Sequence, residues 1–464
     1  MTSGAINRTG RVVSVADPAT YSVGLRSKLL AILFITWMLP IHPILAGQRL
    51  DPYRLVLLIL FIPFLVSLFR RKAGWFTTTD GLILCFGGWI ILTMVYHHGM
   101  SKFAFGTIIA VEMFGGYAAG RLLVRSPQDF RRYVKFAMMS LLFLLPFVVI
   151  ELVSGRMLIG ELFSRVFPVS EKYMETRYGL YRVQGVFPHA ILYGLYCSIN
   201  AANVVFLYRD SLLRLVPRFV LVVFMTMASL SSAPTLSVII QAMVFMWGVL
   251  TRNRWKLLLW LVIAGIVFLE FASNRGPVIL FIETFTLDPQ TGWWRYYIWL
   301  YGLDSVWASP VVGIGLNDWA RPSWMAAVSV DNFWLLIAMR HGVVGFGLLV
   351  AGLGVHIWRV TRAKSLSPEA QTVRTGYMIG LVGLCFTLST VHVWDVLAVY
   401  VMFYFGAGSF LYTSDTTTDQ AADAAPKTAG RPAAPLRGRG RAPVVYARSF
   451  PRPDATSSSS KDPR

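Results

Sequence analysis

Charge is what this sequence has least of. Only 14% of its 464 residues are Asp, Glu, Lys or Arg, against 55% hydrophobic. A soluble chain carries closer to a quarter charged residues, so the composition argues against a soluble globular fold. Cysteine is nearly missing: Cys85, Cys197 and Cys385 each fall inside an apolar run, so no disulfide framework or cysteine metal cluster is indicated. There is no Walker-type glycine loop and no D-x-D pair, which points away from nucleotide chemistry. The first apolar run follows 28 polar residues with no convincing cleavage site, and it reads as a retained signal-anchor helix.

What is present is a succession of apolar runs, each long enough to cross a bilayer core of about 30 Å. Twelve are counted, at roughly 29–47, 52–69, 80–98, 103–120, 133–152, 186–207, 215–231, 233–250, 255–273, 331–358, 374–392 and 394–412. The expectation is an all-α integral membrane protein with about twelve transmembrane helices. With the N-terminus inside, the inner segments (1–28, 70–72, 121–135, 209–218, 251–256, 359–374 and the tail) hold 31 of the 43 Lys and Arg. That asymmetry predicts an N-in, C-in orientation. It also explains the formal charge of +20 as topology, so nucleic acid is not expected as a partner. The domain reading is a cytoplasmic segment over 1–28, a polytopic domain over 29–412 and a cytoplasmic tail over 413–464. The tail, rich in Ala, Pro, Arg, Gly and Ser, has nothing to build a core from and is expected to be disordered.

In this topology two long segments, about 153–185 and about 274–330, face outward together. The larger is expected to carry short helices, and long loops are where function concentrates. Arg177 and Arg182 precede span six, with Gly185, Pro188 and His189 at its entrance. The rigid fork of arginine suits phosphate oxygens. Interfacial anchoring is the reading for Arg177, phosphate binding for Arg182. His189 near a helix start is more commonly a satisfied polar residue than a catalyst. The second segment is rich in Trp and Tyr, with Arg275, Arg295 and Arg321 spaced through it. Pro310, Gly313 and Gly315 in PVVGIG permit a tight turn or a close backbone approach to a ligand. Glu112, Glu270 and Asp395 are carboxylates on apolar runs, and Glu270 is placed to orient Arg275 or simply to end its helix in water. His97-His98 and His392 fall at outer turns without metal-ligand spacing.

The order of these pieces carries a resemblance. R-x-x-G-x-F-x-H at 182–189 is followed by an S-S-A-P turn at 231–234 and S-N-R-G-P at 273–277. Then come T-x-x-x-R at 291–295, P-x-x-G-I-G at 310–315 and V-D-N-F-W-L at 330–335. On twelve spans, with a large outer loop before a late span, this resembles the O-antigen ligase and polymerase superfamily over about residues 180–345.

The resemblance implies a metal-independent glycosyltransferase, without cofactors, in the bacterial inner membrane. Its active site would face the periplasm and use an undecaprenyl-diphosphate-linked glycan donor. Arg182 and Arg295, with Arg275 and Arg340 beside them, then become candidates for the donor diphosphate. His189, Gly313, Gly315, Asn332 and Trp334 become candidates for substrate binding. A chain-length regulator and a flippase are the candidate protein partners. Ligase members often have His-Asn where this chain has Asp331-Asn332, a departure that favours polymerisation of repeat units over transfer to lipid A core.

The chemistry can also be reasoned from the residues. A leaving diphosphate needs fixed cations, which arginines supply, and a poor sugar nucleophile needs a base. Asp331 is the chosen carboxylate, with a helix N-cap as the competing role. Within 329–358, Asp331 and Arg340 would lie on opposite faces of one continuous helix. A better reading ends a short helix at Arg340-His341, uses Gly342 as the cap and starts span ten near Val343. Two rivals remain. A ligase differs only in acceptor, lipid A core or protein. A flippase or transporter would concentrate polar residues and broken helices at mid-membrane, whereas here Arg, Trp and Gly gather in the outer segments.

Overall fold

The computed structural model describes residues 5–6, 12–13, 23–45, 47–169, 173–272, 289–325 and 328–413. Arg275 and the tail beyond 413 lie outside the described residues. Among the described residues the helices are α1 (Val23–Trp37), α2 (Pro52–Phe69), α3 (Thr78–His98), α4 (Phe103–Leu123), α5 (Pro127–Ser154) and α6 (Leu158–Ser164). They continue as α7 (Ala190–Ser198), α8 (Ala201–Tyr208), α9 (Leu212–Met227), α10 (Ser232–Leu250) and α11 (Trp255–Ala272). The last are α12 (Pro289–Ala308), α13 (Phe333–Arg362), α14 (Pro368–Leu388) and α15 (Val396–Ala407). Among the described residues strand is confined to two-residue ribbons, such as Ile44–Leu45 against Gln48–Arg49 and Thr176–Arg177 against Leu180–Tyr181.

Among the described residues eight stretches are long and apolar enough to cross a membrane: Pro52–Phe69, Thr78–His98, Met100–Leu123, Pro127–Ser154, Ala190–Tyr208, Ser232–Leu250, Phe333–Arg362 and Val396–Thr413. The other four expected spans correspond to α1, α9, α11 and α14. Two of these fall short in length, with 15 residues in α1 and 16 in α9. The integral membrane, all-helical reading stands on these spans; twelve crossings go further than they do.

Helix ends follow local chemistry. Thr77 and Asp80 form a reciprocal capping box at the start of α3, and Ser126 caps α5. At the other end of α5, Gly155 takes the left-handed cap conformation at φ 72°.

The centre of the bundle is α15, buried along its whole length and packed on α4. The approach is set by glycines. A Cβ on Gly116 would meet the Val399 carbonyl oxygen at 2.7 Å, and one on Gly120 would collide with the Phe403 carbonyl. Gly406 meets the Tyr117 carbonyl in the same way from the opposite side. Small residues four apart let two backbones touch where lipid offers no hydrophobic drive for helix association. Around this contact the core is aromatic, with Tyr133, Tyr196, Tyr400, Phe403 and Tyr404 all buried. Their hydroxyls are bonded internally, as in Tyr133 Oη to Tyr400 Oη at 3.0 Å and Asn200 Nδ2 donating to Tyr400 Oη at 2.7 Å.

A second, smaller core forms where α12 and the loop after it pack on the first part of α13. It contains Ile298, Val306, Trp319, Met325, Leu335 and Met339.

Candidate active site

Helix α13 is two helices. Gly342, at φ 69° and ψ 177°, breaks it, so a short helix of Phe333–His341 precedes the apolar stretch from Val343. This is the break expected from the sequence. What holds it is the PVVGIG loop. Ile314 N–H donates to the Met339 carbonyl at 2.7 Å, and Gly315 N–H to the Arg340 carbonyl at 3.1 Å. Val343 N–H donates to the Pro310 carbonyl at 2.7 Å. The loop thus satisfies backbone groups that the kink removes from the helix ladder. Gly313 and Gly342 are required because the two segments touch. A Cβ on Gly313 would sit 2.5 Å from the Arg340 carbonyl carbon, and one on Gly342 would collide with the Val311 carbonyl.

The end of α3 clamps the same loop. His98 Nε2 accepts from Leu316 N–H at 2.8 Å, and a Cβ on Gly315 would press on His98 and His97. Trp89 Nε1 donates to the His341 carbonyl at 2.8 Å, and Thr93 Oγ1 lies 2.7 Å from His341 Nδ1. The close approaches of Gly313 and Gly315 are therefore to protein backbone and side chain. The role of His97 and His98 had no signal in the sequence beyond their position.

Beside this joint lies a cavity of about 490 Å³ whose lining includes Asp331, Arg340, His392, Trp394, Asp318 and Trp319. Asp331 and Arg340 reach it because the helix starts after one and ends after the other. The N-cap is Asn332: its side-chain oxygen accepts from Leu335 N–H at 3.0 Å, and its Nδ2 donates to the Ser389 carbonyl at 2.7 Å. That leaves Asp331 free of capping duty. Among the described residues the side chains of Asp331 and Arg340 have no hydrogen-bonding or ion-pair partner, and both residues are half-buried. His392 Nδ1 is buried without a hydrogen-bond partner among the described residues. Burial, with Arg340 adding to it, pushes the His392 imidazole down to about 3, so the ring is neutral.

The other sequence candidates have different surroundings. Arg182 is buried and occupied: it pairs with Glu175, donates from Nη2 to Ser231 Oγ at 2.9 Å and from Nε to the Ser229 carbonyl at 3.4 Å. It bonds the S-S-A-P turn itself, joining two motifs that are far apart in sequence. Arg177 donates to the Leu230 carbonyl at 2.9 Å, just before that turn.

His189 is the N-cap of α7, its Nδ1 accepting from Ile191 N–H at 3.1 Å. Burial, then Arg182, lowers its proton affinity. Its ring still lies 6.4 Å from that of Trp394, at the edge of the cavity. Arg295 is half-buried on α12, outside the cavity lining, and Trp334 packs beside the main core. Arg321 pairs with Asp318 at the cavity rim, and Glu270 is exposed near the end of α11. Among the described residues no group of three or more His, Cys, Asp or Glu side chains could hold a metal ion.

The cavity therefore offers the Asp331 carboxylate, a second carboxylate, Asp318, paired with Arg321, one guanidinium, a neutral imidazole and two indoles beside the backbone joint. No curated protein matches the chain. Residues 218–350, which run from within α9 into α13 and include Asp331, Arg340 and the PVVGIG loop, match the family model described as O-antigen ligase. That match supports the resemblance to the O-antigen ligase and polymerase superfamily over this stretch of the chain.

Proposed function

We propose that this chain is a membrane glycosyltransferase that polymerises undecaprenyl-diphosphate-linked oligosaccharide repeat units on the periplasmic face of the bacterial inner membrane. The observation that carries this reading is the shared cavity of Asp331 and Arg340, a carboxylate without a partner among the described residues beside an equally unpartnered cation. The superfamily match supports the coarser statement, a ligase- or polymerase-type membrane enzyme.

In this reading the twelve-span, N-in and C-in topology puts the joint of α13 outside. Arg340 receives the donor diphosphate, with Arg295 and Arg275 contributing from the large outer segment. The acceptor hydroxyl oxygen forms a bond to the anomeric carbon as the carbon–oxygen bond to the diphosphate breaks. The electron pair leaves with the diphosphate, where fixed guanidinium charge stabilises it without a metal. The hydroxyl proton passes to Asp331. A single displacement of this kind inverts the anomeric carbon. Arg182 contributes by holding the 182–189 entrance against the 229–231 turn. A chain-length regulator and a flippase are its expected partners.

One observation favours a second reading. The matching family model is described as O-antigen ligase, so transfer of a finished glycan to lipid A core or protein is the alternative acceptor chemistry. The deciding experiment is chain growth by purified protein on a synthetic undecaprenyl-diphosphate repeat unit. A product ladder, lost in folded Asp331→Asn and Arg340→Gln, supports polymerisation. Product only when lipid A core is added assigns a ligase. Absence of covalent product with every acceptor, with lipid-linked glycan crossing vesicle membranes, makes the enzyme reading wrong.

A further inference from the structure

A second cavity, of about 210 Å³, adjoins the first and shares Trp394 with it as a wall. Beneath it runs a charge network assembled from distant parts of the chain. Arg54 Nε donates to Glu112 at 2.7 Å and its Nη2 to Asp395 at 2.8 Å. Arg49 Nε donates to Asp51 at 2.9 Å, and its Nη1 lies 3.4 Å from Asp395. His42 Nδ1 is 2.8 Å from Asp51, and the Tyr53 hydroxyl donates to Glu112 at 2.9 Å. Burial alone would raise the proton affinity of Asp51, but hydrogen bonds from His42 and Arg49 outweigh it and keep the carboxyl below its usual range.

Ion pairing accounts for the network but not for everything around it. A purely structural staple needs no cavity beside it. Asp395 sits at φ 51°, a region that a non-glycine residue occupies at a cost, and strain of this kind clusters at ligand sites. Trp37, 3% exposed and lining the same cavity, has an indole N–H without a hydrogen-bond partner among the described residues.

The charge balance then selects the ligand. Three carboxylates facing two guanidiniums disfavour a phosphate, and two guanidiniums disfavour a second cation. Acceptors, donors and indole faces in one small space suit a neutral polyhydroxylated ring, whose hydroxyls bond to the polar wall and whose C–H face packs on an aromatic one.

We infer that this cavity is a neutral-sugar subsite, in which Asp51 and Asp395 accept hydrogen bonds from sugar hydroxyls, Arg49 donates to another, and Trp394 presents a ring face. It would hold the sugar next to the one that reacts in the Asp331 cavity. The inference rests on the glycan-transfer reading above.

The test uses full-length protein in detergent and saturation-transfer NMR with the methyl glycosides of glucose, galactose, mannose and N-acetylglucosamine. At least one should receive saturation from wild type, with binding about tenfold weaker in Arg49→Gln and in Trp394→Leu. Arg49 is one-third exposed, which makes its variant the more tolerant of the two, and melting temperatures identify any variant that fails to fold. In the transfer assay, Arg49→Gln should raise KM for the glycan more than it lowers kcat. Undecaprenyl diphosphate without sugar should compete equally with both proteins. Saturation of none of the glycosides by wild type, or equal binding by both folded variants, overturns the subsite. Variant-sensitive glycoside binding by a protein that forms no covalent product would instead keep the subsite and overturn the transferase reading.

Discussion

Val343 N–H donates to the Pro310 carbonyl at 2.7 Å, across a break in which Gly342 has left helical geometry. This bond and its two neighbours, from Ile314 and Gly315, make the PVVGIG loop part of the helix rather than a flap above it. The position of Arg340 at the cavity is a consequence of that joint.

Gly342→Ala is therefore expected to damage both stability and activity. A Cβ there collides with the Val311 carbonyl, and alanine is strained at φ 69°. The cost should be about 1–3 kcal/mol, read as a lowered melting temperature in detergent, with transfer activity falling because Arg340 moves.

Asp331→Asn and Asn332→Ala should separate chemistry from capping. Asp331→Asn leaves the cap intact, so melting should hardly change while the rate of transfer falls by about 10²–10⁴. Asn332→Ala removes the cap and the bond to the Ser389 carbonyl, and should cost about 1–2 kcal/mol of stability. Equal melting losses in both variants would return Asp331 to a structural role.

Arg340→Lys is expected not to restore the activity lost in Arg340→Gln, because a point charge does not replace a fork on diphosphate oxygens. Arg182→Lys should behave differently. Its loss should appear mainly as lower stability, since Arg182 is committed to Glu175, Ser229 and Ser231. Rates and melting curves for the same four proteins decide it.

Stability should fall on acidification through His392. Its folded proton affinity is pushed down to about 3 by burial and Arg340, against about 6.5 in an unfolded chain. The unfolded state therefore binds the proton first, so stability is complete above about pH 6.5 and declines as pH falls toward 3. His189 is shifted in the same direction. Melting temperature against pH should show a shallower acid slope in His392→Gln than in wild type.

Gly120→Leu should fail to assemble, or melt well below wild type, because the α4–α15 contact leaves no room before the Phe403 carbonyl. A surface exchange on the exposed side of α11, such as Leu259→Ala, serves as the control and should be nearly neutral in detergent.

Much of the local architecture is legible from residues alone. The eight apolar stretches and the break at Gly342 follow from hydropathy and glycine sterics. Part of the site was legible too: Asp331 and Arg340 stood out as charged groups at the ends of a short helix. The cap was not, because Asp and Asn serve that role about equally well and only the backbone angles select Asn332. Nor was the commitment of Arg182 to Ser231, which depends on two loops meeting.

The sequence by itself determined that this chain is a helical membrane protein, where its helices break, and which superfamily its ordered motifs resemble. These properties depend on residues a few positions apart, through hydropathy and backbone sterics. Only the tertiary structure decided which charges share a cavity and which are consumed in packing. Glu112 and Asp395 stood in the sequence as unexplained carboxylates on apolar runs; in the fold Arg54 binds both. A charge removed from water must find a partner. In a folded bundle that partner can lie hundreds of residues away, where no local pattern records it.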